Sequence, residues 1–192
     1  MKQIDMAKDV CDFLLSLPEI KSCILCGSLS NGNSDEYSDI DIEIDVSGID
    51  NSKYITKIPE LFKQKYPVVF TDYAPSLAPE IYVVSIAISN ENPFAIVDIK
   101  CIATPHIQTM QKEDIASLNN LVDHTLKVFI INLKHYIRGT DCFNDINRMY
   151  KRLFNTNNIS NEYAMLQEVF KWLKENISKK HINFLNSFKK YF

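Results

Sequence analysis

From Asp39 to Val46 the chain reads Asp-Ile-Asp-Ile-Glu-Ile-Asp-Val, an unbroken alternation of acid and branched aliphatic residue. A period of two fits an extended strand, where successive side chains leave on opposite faces. Ile40, Ile42, Ile44 and Val46 therefore line a buried face, and Asp39, Asp41, Glu43 and Asp45 the other. Carboxylates stacked along one strand face repel one another unless a cation offsets the charge. Magnesium is suited to that role, because it takes a couple of carboxylates and fills its shell with phosphate oxygens. Ten residues separate this strand from Gly27-Ser28, a tight polar turn at the end of the apolar run Cys23-Ile24-Leu25.

A chain of 192 residues, 46% hydrophobic and with net charge −3, has the composition of a soluble globular protein of one domain or two small ones. No apolar run approaches the ~20 residues of a membrane span. Met1 to Cys11 alternates charge with single hydrophobics and carries no signal-peptide core. Five cysteines without framework spacing point to a reducing cytoplasm. Cys23 and Cys26 form a C-x-x-C, but three residues apart on a strand their sulfurs fall on opposite faces, so they read as core thiols. His106, His124, His135 and His181 lack metal-ligand spacing.

Proline and glycine divide the chain. All seven prolines lie at or before Pro105, and three of the four glycines between Gly27 and Gly48. The front half, 1–105, reads as helix Ile4–Leu17, strands at 20–27 and 39–46, helix Tyr54–Lys65 and strand Val68–Tyr73. Two further β-rich runs, Ile81–Ser89 and Phe94–Ala103, flank Asn90-Glu91-Asn92-Pro93 as a hairpin with a four-residue loop. The sum is a mixed sheet of about five strands with helices on one side. The back half, 106–192, reads as a four-helix bundle. Leu118, Leu121, Val122, Leu126, Phe129, Leu133 and Tyr136 mark a long first helix capped by Gly139. Helices Asp141–Phe154, one N-capped by Ser160, and Lys180–Phe192 complete it. Residues 1–104 carry 8 Lys/Arg against 16 Asp/Glu, and residues 105–192 carry 13 against 8. An acidic half beside a basic one suits a metal site facing groups that hold polyphosphate.

Gly27-Ser28-x10-Asp39-x-Asp41 resembles the signature of the polymerase-beta-like nucleotidyltransferase superfamily. In that fold a third carboxylate comes from a later strand, and Asp98, a lone acid in Phe94-Ala95-Ile96-Val97-Asp98-Ile99-Lys100, matches it. The resemblance covers the first ~105 residues in element order and implies an α+β fold: a nucleotidyltransferase-type mixed β-sheet with flanking helices, followed by a C-terminal four-helix bundle. It implies that Asp39, Asp41 and Asp98 hold two Mg²⁺ ions and act as the catalytic carboxylates, with Asp98 also accepting the proton. It gives Gly27 and Ser28 to the triphosphate of an NTP, with ATP as the expected donor. Many small members carry an arginine soon after Gly-Ser, whereas this chain reads Leu29-Ser30-Asn31-Gly32-Asn33. The basic contact then falls to Lys100 or to the helical half.

A catalytic half followed by a helical one resembles the lincosamide and aminoglycoside nucleotidyltransferases, which implies an antibiotic-like, hydroxylated small-molecule acceptor and an antibiotic-resistance role. Homodimerisation is implied by the same likeness. Glu113, Asp114 and Asp123 could meet a cationic drug, but they read better as helix N-terminal acids. Two other readings remain open. One is a minimal nucleotidyltransferase that adenylylates a partner protein; the other is a non-catalytic nucleotide-binding module. Nucleic acid is the weaker partner, since no basic and aromatic residues interleave along a groove.

Overall fold

The computed structural model describes residues 3–74, 78, 80–89, 91–156 and 161–192. They form two compact units, Met1–Asn119 and Asn120–Phe192.

In the first unit, helix α1 (Gln3–Leu15) buries Met6, Ala7, Val10 and Leu14, the three- and four-residue spacing of one helix face. Strand β1 (Ser22–Leu25) and the one-turn helix α2 (Gly27–Ser30) lead to β2 (Ile40–Asp45), whose burial alternates residue by residue as its sequence does. Helix α3 (Asn51–Lys65) begins earlier than its apolar stripe suggests, because Asp50 caps it. The Asp50 carboxylate accepts from the Ser52 and Lys53 amides at 3.0 and 3.3 Å. Strands β3 (Val68–Ala74), β4 (Tyr82–Ile88) and β5 (Val97–Ile102) follow, then the short helix α4 (Lys112–Ala116).

The sheet order is β1-β2-β5-β4-β3, with β2 and β5 parallel and every other pair antiparallel. Ile40, Ile42 and Ile44 of β2, Val97, Ile99 and Cys101 of β5, and Val84 and Ile86 of β4 share one core with the apolar faces of α1 and α3. Both long helices therefore cover the same face of the sheet. The other face carries Asp41, Glu43, Asp98, Lys100, Ser85 and Asp72, with Phe70 and Ala87 buried on it toward β3.

The β4–β5 hairpin departs from the four-residue loop expected at 90–93. The pairing stops at Ile86 opposite Val97, so the connection is longer. Phe94, Ala95 and Ile96, which read as strand, are buried within it. Asn92 turns the chain there, its side chain accepting from the Phe94 amide at 3.1 Å and its carbonyl from the Ala95 amide at 2.9 Å. Residue 90 lies outside the described residues.

Residues 106–119, expected in the helical half, belong to the first unit. Ile115 of α4 joins its core. The Asn119 side chain accepts from the Tyr73 amide at 2.7 Å and donates to the Tyr73 carbonyl at 2.9 Å.

The second unit contains α5 (Leu121–Ile137), α6 (Phe143–Phe154), α7 (Glu162–Asn176) and α8 (Ile182–Asn186). Gly139, at φ +68°, ends α5: its amide bonds to Tyr136 and that of Thr140 to His135, a Schellman pair. The N-cap of α7 is Asn161, whose side chain accepts from the Ala164 amide; Ser160, expected there, lies outside the described residues. The expected fourth helix, Lys180–Phe192, is broken into α8 between two 3₁₀ turns. Asn183, Asn186 and Ser187 are weak helix formers, and the Ser187 hydroxyl donates back to the Phe184 carbonyl at 2.6 Å. Phe184, Leu185 and Phe188 are buried, and Phe188 and Phe192 reach the Phe129 ring at 6.0 and 6.1 Å between centroids. No helix among the described residues is long and apolar enough to cross a membrane.

Candidate active site on the second sheet face

The parallel register sets Asp41 of β2 directly beside Asp98 of β5. The next pairings set Asp98 beside Ser85 of β4, and Ser85 beside Asp72 of β3. One row of the sheet thus reads Asp41, Asp98, Ser85, Asp72, all on the face away from α1 and α3. The Ser85 hydroxyl donates to Asp98 Oδ1. Ser85 and Asp72 are each 1% exposed, whereas Asp41 and Asp98 are half-buried.

Gly27 approaches this row from α2. The Cys26 amide donates to the Asp41 carbonyl at 2.7 Å, which fixes the start of α2 against β2. Gly27 has φ +65°, and a Cβ on it would lie 2.1 Å from Asp41 Oδ2 and 2.9 Å from Asp41 Cγ. Only glycine tolerates both the left-handed backbone and that proximity. Ser28, half-buried, follows it into α2.

The ten residues between Ser28 and Asp39 form a tied loop. The Asp35 carboxylate accepts from the Tyr37 amide and the Ser38 hydroxyl at 3.0 and 2.9 Å. Gln3 Nε2 donates to the Ser38 carbonyl at 2.7 Å, and Tyr37 packs edge-on against Phe94 at 5.0 Å. This anchoring delivers Asp39, half-buried, to the residue just before β2 and in phase with Asp41.

Lys100 shares the face of Asp98, two residues along β5, and pairs across the sheet with Glu43. Asp45 is committed elsewhere: its Oδ1 accepts from the Ser47 amide and hydroxyl at 2.8 and 2.5 Å, closing the turn after β2. Glu113 and Asp114 sit in the first turn of α4, where Asp114 completes a capping box with Gln111, and Asp123 occupies the first turn of α5. These are helix-start positions, where a carboxylate is favoured.

Among the described residues no group of three or more His, Cys, Asp or Glu side chains converges as a ready metal cage. The donors at the row suit magnesium rather than a closed cage. Asp41 and Asp98 are neighbours across a parallel pair, the glycine beside Asp41 leaves its carboxylate room, and Mg²⁺ requires only one or two carboxylates besides water and phosphate. The five cysteines are all free thiols. Cys101 is fully buried, and burial pushes its thiol up to about 12.

Ser85 and Asp72 escaped sequence reading, although Ser85 is the lone serine in the apolar run Tyr82–Ile88 and Asp72 the single acid of Val68–Ala74. The same signal singled out Asp98. Their alignment with it is a matter of register, which no local pattern in β3 or β4 encodes.

No family model matches this chain, and no curated protein does. Among solved structures it is similar to a GLD-2/RNP-8 complex, at TM-score 0.42 and 14% identity, covering 100% of this chain and 57% of that one. A poly(A) polymerase complex of GLD-2 and GLD-3 is similar at TM-score 0.41 and 14% identity, with 98% and 58% covered. The chain thus spans a little under three-fifths of the length of these neighbours. At such distance the chemistry has to be read from the side chains themselves.

Proposed function

We propose that this chain is a magnesium-dependent nucleotidyltransferase that moves a nucleoside monophosphate from ATP to a hydroxyl of a small-molecule acceptor, releasing pyrophosphate. The observation that carries the reading is the placement of Asp41 beside Asp98 on parallel strands, with Gly27 closed against Asp41. Asp39, Asp41 and Asp98 are the residues that would hold magnesium. Bound there, the metal would neutralise triphosphate charge and make the acceptor hydroxyl more acidic.

The remaining work falls to the protein's own groups. Gly27 removes the side chain that would keep the triphosphate from the backbone, and the Ser28 hydroxyl donates to a phosphate oxygen. Lys100 supplies positive charge on the same face as Asp98. Ser85 fixes the rotamer of Asp98 through Oδ1, so the carboxylate is already oriented to take the acceptor proton. The acceptor oxygen then bonds to the α-phosphorus as the bond to the bridging oxygen of pyrophosphate breaks. Positioning accounts for most of the rate in such a displacement.

Pyrophosphate release is the test, run with Mg²⁺ and each NTP against a panel of lincosamides and aminoglycosides. Asp39→Asn and Asp41→Asn proteins serve as controls. Acceptor-dependent release that both variants lose, with their unfolding curves unchanged, supports the reading. Release that survives in either variant overturns the assigned roles. Nucleotide binding without release on any small molecule moves the acceptor to a partner protein.

A further inference from the structure

We infer that the groove between α5 and α6 is a binding site for a small organic anion with an apolar or aromatic body. All its lining residues belong to the second unit, and none is a residue assigned to the transfer chemistry. Helix α5 carries two stripes. Leu126, Phe129, Ile130 and Leu133 fill the core of the helices. A second stripe runs from Leu121 through Val128 and Ile131 to His135, at intervals that keep it on one face, and it lines a cavity of about 410 Å³. That volume falls within the range of small-molecule sites, about 300–1,000 Å³.

The lining divides by chemistry. Val128 and Ile131 of α5 and Met149 and Leu153 of α6 make an apolar floor, on which a methionine sulfur favours an aromatic ring. The rim is basic. Arg148 and Arg152 lie one turn apart on α6, and His124 and His135 stand on α5. The one acid, Asp145, reaches Arg148 at 3.4 Å, and both side chains are more than 60% exposed, so the pair is weak. Among the described residues Arg152 has no hydrogen bond or ion pair. Two guanidiniums so placed match a carboxylate, sulfonate or phosphate.

A buried amide points to a ligand independently. Asn132 lines the same cavity and is 2% exposed, yet its Nδ2 has only the Met149 sulfur, 3.6 Å away, as side-chain partner among the described residues. A thioether is a weak acceptor, and an amide at that depth normally finds an oxygen. An anionic ligand with an apolar body satisfies the amide, the arginines and the floor together.

The probe is 8-anilinonaphthalene-1-sulfonate, titrated into the full chain and followed by ¹H–¹⁵N correlation spectra. Its neutral counterpart, N-phenyl-1-naphthylamine, is titrated in parallel. We expect saturable one-to-one binding, with shifts centred on Val128, Ile131, Asn132 and Met149 and weaker binding of the neutral compound. An Arg148→Gln/Arg152→Gln protein, altered only at exposed positions, should bind the sulfonate about tenfold more weakly. Ile131→Trp, which fills the groove, should abolish those shifts. Shifts scattered through both units, equal affinity in the double variant, or no saturation by about 1 mM would each overturn the site.

Discussion

Gly27→Ala offers a quantitative test of how α2 meets β2. Three terms set its cost. A side chain at φ +65° costs about 1–2 kcal/mol. The stiffer unfolded chain returns about 0.4–1 kcal/mol of that. The new Cβ then meets Asp41 Oδ2 at 2.1 Å, which forces that carboxylate off its rotamer for about 0.5–1.5 kcal/mol. The sum is a destabilisation of about 2 kcal/mol, of which about 1 kcal/mol belongs to the contact with Asp41. Gly32→Ala is the internal control, because its φ is +71° and nothing lies within 4 Å of its added Cβ. A double-mutant cycle isolates the contact. In an Asp41→Ala background the Gly27→Ala penalty should shrink by about 1 kcal/mol and approach that of Gly32→Ala. Urea unfolding of the five proteins supplies every term without any activity measurement. Equal penalties at Gly27 and Gly32, or no coupling to Asp41, would refute the close approach and with it the reason for a glycine here.

Two further perturbations probe neighbouring features. Ser85→Ala removes the hydroxyl that holds Asp98 Oδ1 at a site 1% exposed; it should cost about 1–3 kcal/mol in urea unfolding and lower pyrophosphate release more than nucleotide affinity. Asp9 is held below its ordinary value of 3.8 by hydrogen bonds from Lys65 and Tyr66. Because the folded value is the lower one, the stabilisation is complete above the unfolded value and is lost as pH falls through the folded value. Lys65 and Asp9 are 38% and 43% exposed, so screening limits the effect of Asp9→Asn to about 0.5 kcal/mol at neutral pH. Thermal unfolding of the two proteins should differ at pH 6 and coincide near pH 2; a constant gap would rule out the carboxylate as its source.

Much of this layout was legible because its signals are local. The alternation through β2 fixed which side of the strand is buried, and Gly139 marked the end of α5. Asp98 stood out as an acid in an apolar strand, and the register sets it beside Asp41. What escaped depends on partners far along the chain. Leu118 and Leu121 fit the helical period of α5 but are 55% and 62% exposed, since period alone does not say whether a face finds cover. The boundary at 105 rests on the absence of proline beyond Pro105, a signal of local backbone that says nothing of the attachment of residues 106–119 to the sheet unit. The aromatic residues of 184–192 are apolar enough for a fourth helix, yet their packing on Phe129 is met by short turns.

Asn119 gives that boundary a practical meaning. β3 is the last strand of the sheet, so its outer edge would present unpaired amides and carbonyls to any other chain in extended form. The amide of Asn119 offers one donor and one acceptor to Tyr73, as a neighbouring strand would. One side chain thus serves as a stopper on the open border of the sheet. Cutting the chain after residue 105, the last proline, would pull that stopper out and leave the border able to recruit further copies. A dissection that keeps Asn119 retains the protection along with the carboxylate row.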